Sequence, residues 1–449
     1  MSDATTTDLY EVTMALSYLR EGLTRSATFS LYVRDVPADR GFLVAAGLEP
    51  VLDYLSRYRV DADDVDVLAA ALDRPPKDAE PLLGLVFTGD VRAVPEGRVV
   101  LAGEPLLEVT APLPQAQLVE SYVLNQVNHQ TTVASKCARC TLAAAGHPVV
   151  DFSLRRTHGT EAAHQAARLG AMAGFAGTSN VAAAHAEGLP AVGTMAHSYI
   201  EAFGTEEAAF RAFARAHPGP VTYLVDTYDT ERGVLTAARV MKDLGLGPGC
   251  AIRLDSGDLG ALAVSSRRIL DAAGLHEVRI VASGGLDEFA VDRLVRSGAP
   301  IDTYAVGTKI GVSADAPYLD SAYKLVEYDG RPVMKLSSAK VTAPGRKQVF
   351  RLPGYADVIG LIDEAPPPGG EPLLETVMRH GRRTRTGTRR SRLDDARGRF
   401  ADDLAALPAG ARGITSPVAP EAVLSQPLTE LAARVRHRIE TEMPAAGAR

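Results

Sequence analysis

From residue 148 to about 345 the chain repeats one pattern: a short apolar run ending in polar or glycine-rich residues, followed by a helix-length amphipathic stretch. The runs are VVDFSLRR, PAVGTMAHS, VTYLVDTYDT, CAIRLDSGD, RIVASGGLD and DTYAVGTKIG, and the stretches between them include DLGALAVSSRRILDAAGL and LDEFAVDRLVRSG. An unbroken apolar run suits a strand buried on both faces, and strand followed by helix, repeated, builds a parallel sheet with helices outside. The pattern predicts an irregular or incomplete (β/α) barrel, whose ligands gather at the carboxyl ends of the strands.

The flanking segments have a different texture. Residues 1–147 mix strands and helices: ATFSLYVRDVP alternates at period two, and DVRAVPEGRVVLAGEPLLEVTAP reads as short strands cut by Pro and Gly. After Pro114, Val119, Val123 and Val127 recur four apart in one long helix that stops at Gly146. Residues 346–449 open with GRKQVFRLPGYADVIGLIDE, cross APPPGGEP, and close on the helical LTELAARVRHRIETEM. The expected architecture is α/β: domains at 1–147, 148–345 and 346–449, with the last completing the α+β fold begun by the first. The arginine-rich RHGRRTRTGTRRSRLDDARGR, 379–399, reads as a solvated connector, since it lacks the interleaved aromatics of a nucleic-acid surface. There is no internal repeat.

Composition narrows the classes. With 449 residues, 46% hydrophobic and 23% charged, the chain has the balance of a soluble globular enzyme. A net charge of −7 argues against a nucleic-acid surface, so an anionic ligand must be held by a local cluster. No window reaches the roughly 18 apolar residues that span a bilayer, and the polar start MSDATTTDLY lacks a leader pattern, so a cytoplasmic location is expected. The cysteines, Cys137, Cys140 and Cys250, are too few for a disulfide framework. Cys137 and Cys140 lie in a helical pattern without a second pair, so no structural zinc is expected.

The strand ends carry the chemistry. They deliver Arg155 and Arg156, His197, Asp226 and Asp229, Arg253, Asp255 and Asp258, Gly284 and Gly285, and Gly307, Thr308 and Lys309. Glycines before a helix let backbone N–H groups approach phosphate oxygens, arginine grips phosphate or carboxylate through two parallel hydrogen bonds, and carboxylates accept from ribose hydroxyls or hold Mg²⁺. Asp258 also suits a helix N-cap. The set suits a phosphorylated sugar.

Stretches spread over nearly the whole chain carry a resemblance: TDLYEVTMALSYLREG, AGLEPVLDYL, DFSLRRTHG, GFAGTSNVAAA, GTMAHSYI, RLDSGDL, VGTKIG with YKLV, and GRKQVFR. The sequence is similar to nicotinate phosphoribosyltransferases of the type II phosphoribosyltransferase fold. The resemblance implies conversion of nicotinate and 5-phosphoribosyl 1-diphosphate (PRPP) to nicotinate mononucleotide and diphosphate, coupled to ATP hydrolysis in NAD salvage. It implies that His197 is phosphorylated by ATP. It also implies that Tyr10 and Phe152 sandwich the pyridine ring, and that Thr194 and Arg253 meet nicotinate, Arg253 facing its carboxylate. Arg155, Gly284, Gly285, Gly307 and Thr308 would take the phosphates, and Asp255 the ribose. Mg²⁺ would arrive with PRPP and ATP, held mainly through the diphosphate rather than by ligands of the protein's own. Related amide-using enzymes place an aspartate where Ser179 stands, so a preference for nicotinate is expected. Tyr10 would complete a neighbouring subunit's site, which implies a homodimer with shared active sites; neither a nucleic acid nor a membrane is an expected partner.

Other readings are a nicotinamide- or quinolinate-type phosphoribosyltransferase, a barrel isomerase or aldolase acting on a sugar phosphate, and a non-catalytic ligand sensor. An aldolase would need a Schiff-base lysine, for which Lys309 is the candidate.

Overall fold

The strand Ser26–Val33 pairs antiparallel on both sides, with Pro105–Pro112 and with Ser321–Tyr328. It alternates polar and apolar residues at period two, and Thr28 and Ser30 are as buried as Phe29 and Leu31. Both faces are covered, and Thr28 meets Thr110 across the strand pair, hydroxyl to hydroxyl at 2.9 Å. The strand is central to a seven-stranded sheet in the order Arg331–Pro332, Ser321–Tyr328, Ser26–Val33, Pro105–Pro112, Asp90–Ala93, Glu375–Arg379, Arg382–Arg383. This sheet belongs to the first of two units in the computed structural model, which describes residues 3–336 and 342–442. The first unit comprises Met1–Thr132, Tyr318–Gly413 and Pro417–Arg449; the second comprises Val133–Pro317 with Ile414–Ser416.

Two details of the first unit differ from the sequence expectation. The helix after Pro112 is interrupted: Leu113–Leu118 ends at Val119, and Glu120–Ala143 follows. The arginine-rich segment is ordered structure rather than a connector. It forms the strand pair ending at Arg383 and, after the N-cap Thr388, the helix Arg389–Ala406. Arg379, Arg382, Arg385, Arg389, Arg390 and Arg397 stay exposed, but two others turn inward toward acidic partners: Arg383 pairs with Glu49 at 2.9 Å and Asp53 at 2.6 Å, and Arg392 with Glu49 at 2.7 Å. The final helix is Gln426–Glu442; Met443, the last residue of the expected helix, lies outside the described residues.

The second unit is the parallel α/β part. Six strands line up in the order Gly177–Thr178, Val149–Asp151, Thr303–Val306, Arg279–Ala282, Ala251–Leu254, Thr222–Leu224, every pair parallel. Helices Leu259–Ala272 and Glu288–Arg296 occupy the expected amphipathic stretches. The sheet is open, so the barrel is incomplete. PAVGTMAHS does not form the expected buried strand: Ala191 makes a single bridge to Thr178 at the sheet edge, is exposed, and the chain then runs irregularly to a helix at His197–Phe203. Gly193 and Thr194 carry the backbone away before a ladder forms. Cys137 and Cys140 are buried in Glu120–Ala143, and Cys250 is buried before Ala251–Leu254. Among the described residues no helix is long and apolar enough to cross a membrane.

Candidate active site

At the carboxyl ends of these strands a pocket of about 360 Å³ is lined by Phe152, Arg155, Ser179, Thr194, His197, Arg253 and Asp255, among others. Arg253 leaves its strand one residue before the end and is gripped along three edges. Its Nε donates to Ser283 Oγ (2.8 Å), Nη1 to Thr194 Oγ1 (3.1 Å), and Nη2 to Asp255 Oδ1 (2.7 Å). Its Cζ lies 5.4 Å from the centroid of the Phe152 ring, within cation–π range. The plane of the guanidinium is thereby set. Nη1 makes only the 3.1 Å contact and a 3.5 Å contact to Met195 O, and so has the loosest hold on its partners.

Asp255 is set just as firmly. Burial works to raise its pKa, but the Ser283 hydroxyl and the Arg253 guanidinium outweigh it and hold the carboxyl below its ordinary range. Only Oδ1 serves those partners, which leaves Oδ2 as an acceptor. The backbone is braced by Asp226, whose Oδ2 accepts from Asp255 N (2.9 Å) and Ser256 Oγ (2.7 Å). Gly284 presses on the same turn: with φ +90 it sits so close that a Cβ would stand 1.8 Å from Asp255 O, which excludes any side chain.

His197 opens the helix His197–Phe203, and its Nδ1 lies 3.1 Å from Thr227 Oγ1. Phe152 and Ser179 are placed by Asp151, the buried last residue of its strand. Its Oδ1 accepts from Ser153 N (2.8 Å), its Oδ2 from Thr178 Oγ1 (2.7 Å), and its carbonyl from Ser179 N (2.8 Å). Arg155 stands exposed on the turn Leu154–Arg156 with no carboxylate partner among the described residues.

The phosphate-class residues fall beside this pocket. Gly284 and Gly285 line a neighbouring groove of about 800 Å³ together with Asp258, the N-cap of Leu259–Ala272. Gly307 backs onto Phe152, where a Cβ would meet Phe152 O at 2.8 Å, and Thr308 is exposed next to it. Lys309 is ion-paired to Asp287 rather than set in the apolar surroundings that free a Schiff-base amine. Tyr10 lies in the first unit, half-exposed on the helix Leu9–Arg20.

Residues 5–128 match the nicotinate phosphoribosyltransferase (NAPRTase) N-terminal domain, and residues 148–296 match the NAPRTase family. The chain is 46% identical over 438 residues to the nicotinate phosphoribosyltransferase pncB2 of Mycobacterium tuberculosis, covering 96% of this chain and 93% of that one. The chain belongs to the nicotinate phosphoribosyltransferase family. The Bacillus subtilis nicotinate phosphoribosyltransferase is 41% identical over 377 residues, covering 80% of this chain and 76% of that one. The crystal structure of human nicotinic acid phosphoribosyltransferase superposes with a TM-score of 0.82 at 30% identity, covering 96% of this chain and 99% of that one.

Sequence reasoning left Asp151, Thr227 and Ser283 of this NAPRTase-family pocket without roles. Asp151 had a signal, a carboxylate closing a buried strand. Thr227 and Ser283 had none, because each acts on a residue 30 positions away.

Proposed function

We propose that the chain transfers the phosphoribosyl group of PRPP to nicotinate, forming nicotinate mononucleotide and diphosphate, with ATP hydrolysis coupled through His197. The observation that carries this reading is the Arg253 assembly: a cation fixed in plane beside an aromatic face, with its Nη1 edge loosely held. Such an edge suits a carboxylate on a flat ring, and nicotinate is that ligand. Phe152 offers the ring face, and Ser179, where an amide-using enzyme has aspartate, sets no anion against the substrate carboxylate.

The chemistry asks little acid or base of the protein. The pyridine nitrogen attacks the anomeric carbon with its own lone pair, and diphosphate departs with the bonding electrons. Asp255, held ionised with Oδ2 open, accepts from the ribose hydroxyls. Gly284, Gly285, Gly307, Thr308 and Arg155 receive the phosphates. Mg²⁺ would neutralise the diphosphate and be held mainly through it; Asp226, whose Oδ1 is buried without a hydrogen-bond partner among the described residues, suits a carboxylate that it would take beside the substrate phosphates.

Thr227 engages Nδ1 of His197, so Nε2 is the nitrogen left to attack the γ-phosphate of ATP and release ADP. Water later cleaves the N–P bond, which returns the neutral ring and frees phosphate. Tyr10, exposed on its helix, is assigned to the ring site of a second copy, which makes the working enzyme a homodimer acting in the cytoplasm.

Purified protein with PRPP and Mg²⁺, offered nicotinate or nicotinamide with and without ATP, tests the reading. Mononucleotide should form from nicotinate in preference to nicotinamide, and ATP should increase it. His197→Ala should keep ATP-independent transfer and lose the coupled ADP release. No product from either base sinks the assigned reaction.

A further inference from the structure

One cation at the phosphate side of the second unit has no part in the reading above. Lys309 follows Gly307 and Thr308, and its Nζ lies 2.6 Å from Asp287 Oδ2 with the lysine side chain 42% exposed. An ammonium carries three N–H donors. Asp287 takes one, and among the described residues nothing takes the others.

Asp287 is itself immobilised. Its Oδ1 caps the helix Glu288–Arg296 by accepting from Ala290 N at 2.8 Å. The next residue, Glu288, is fully buried and meets Lys136 at 2.5 Å and Arg139 at 3.1 Å; Lys136 also reaches Asp315 at 2.9 Å. An apolar cluster of equal volume would hold this helix at least as well, since buried ions forfeit hydration. What the ionic version adds is a single geometry. The element it fixes begins at Glu288, three residues after Gly285, so the network holds the Asp287 carboxylate and the ammonium close to the glycine loop. Although burial opposes it, contact with Lys309 and the nearby Lys136 keep Asp287 below the ordinary carboxylate range.

We propose that Lys309 is a further phosphate-binding residue of this site, and that Asp287 is its positioning residue. The ammonium bridges two strand ends, one offering Gly284 and Gly285 and the other Gly307 and Thr308, and holds donors in reserve where a diphosphate or sugar phosphate needs a point charge. The inference rests on the phosphoribosyl transfer reading only for the name of the phosphate compound.

Calorimetric titration of the full chain with inorganic diphosphate is the direct test. Lys309→Gln should weaken binding by about tenfold or more, the worth of one charge-assisted hydrogen bond. Lys309→Arg should restore most of it. Under turnover, Lys309→Gln should raise the KM for PRPP, and Asp287→Asn should do the same to a smaller degree. Weakened diphosphate binding in a chain that makes no mononucleotide would keep this inference and discard the substrate assignment. Equal diphosphate affinity in Lys309→Gln and the unaltered chain, or none in either, overturns it.

Discussion

Both units bury ion pairs, but burial and partner win in different places. In the first unit, Glu108 and Lys347 lie 3.5 Å apart with side chains 2% and 5% exposed. Burial raises the pKa of the Glu108 carboxyl in spite of Lys347 and Arg92, and lowers that of the Lys347 ammonium in spite of Glu108. In the second unit, Asp255 and Asp287 are partly buried too, yet hydrogen bonds and cations overcome burial and keep both carboxyls below their ordinary range. In the sealed pair burial works against the charge of both partners. In the open pairs the partners outweigh burial, and a carboxylate favoured at a strand end is available to a ligand.

The comparison can be broken by exchanging the roles. Replacing Arg253 with Met should cut kcat/KM for nicotinate by about 10³-fold, within the ~2–5 kcal/mol that follows loss of one partner from a buried charged pair. The melting temperature should fall less than for a sealed pair, because Asp255, the partner left behind, is 25% exposed to water. Lys347→Met should do the reverse: about 3 kcal/mol of stability lost to an unmatched buried carboxyl, read from denaturant unfolding, with both KM values unchanged. A Lys347→Met protein that keeps its stability but loses substrate affinity would erase the distinction.

Glu11 gives a smaller and sharper test. It is fully buried on the helix Leu9–Arg20, where Ser121 N (3.0 Å), Ser121 Oγ (2.6 Å) and Thr7 Oγ1 donate to it. Burial still prevails over those donors and lifts its pKa from 4.5 to about 7. Between those values the unfolded chain has lost the proton that the folded chain retains, so stability falls as pH rises through this window and levels off above it. Glu11→Gln cannot titrate. Its stability relative to the unaltered chain should be greater at pH 8 than at pH 5 by about 1–3 kcal/mol, measured by urea unfolding at both values.

Five strands of the second unit were legible because each is a short apolar run with chemistry at its end, and burial on both faces leaves that signature; the edge strand Gly177–Thr178 has no such run and was not read. Arg253 and Asp255 were legible for the same reason; Phe152, Ser179 and Thr194 were named only through the family resemblance, and His197 at the end of a strand that does not form, yet all six meet in one pocket. Elsewhere local pattern was overruled by distant partners. Ala191 and Val192 read as strand, but an edge position gave them no ladder. Arg383 and Arg392 read as solvated, but Glu49, more than 300 residues earlier, draws them in. The period-two alternation of Ser26–Val33 does not show that both of its faces are buried, because only tertiary packing covers Thr28 and Ser30.

Chain order has a consequence for synthesis. Ser26–Val33 finds one neighbour in Pro105–Pro112, but its other neighbour begins at Ser321, almost 290 residues later. At translation rates of about 5–20 residues per second, that strand edge waits on the order of 15–60 s on the ribosome. Through that interval it is a ready template for an intruding strand. Val133–Pro317, continuous apart from Ile414–Ser416, has by then emerged almost complete. The pocket-bearing unit is thus placed to fold first, and the older end of the chain is the part that most needs a chaperone.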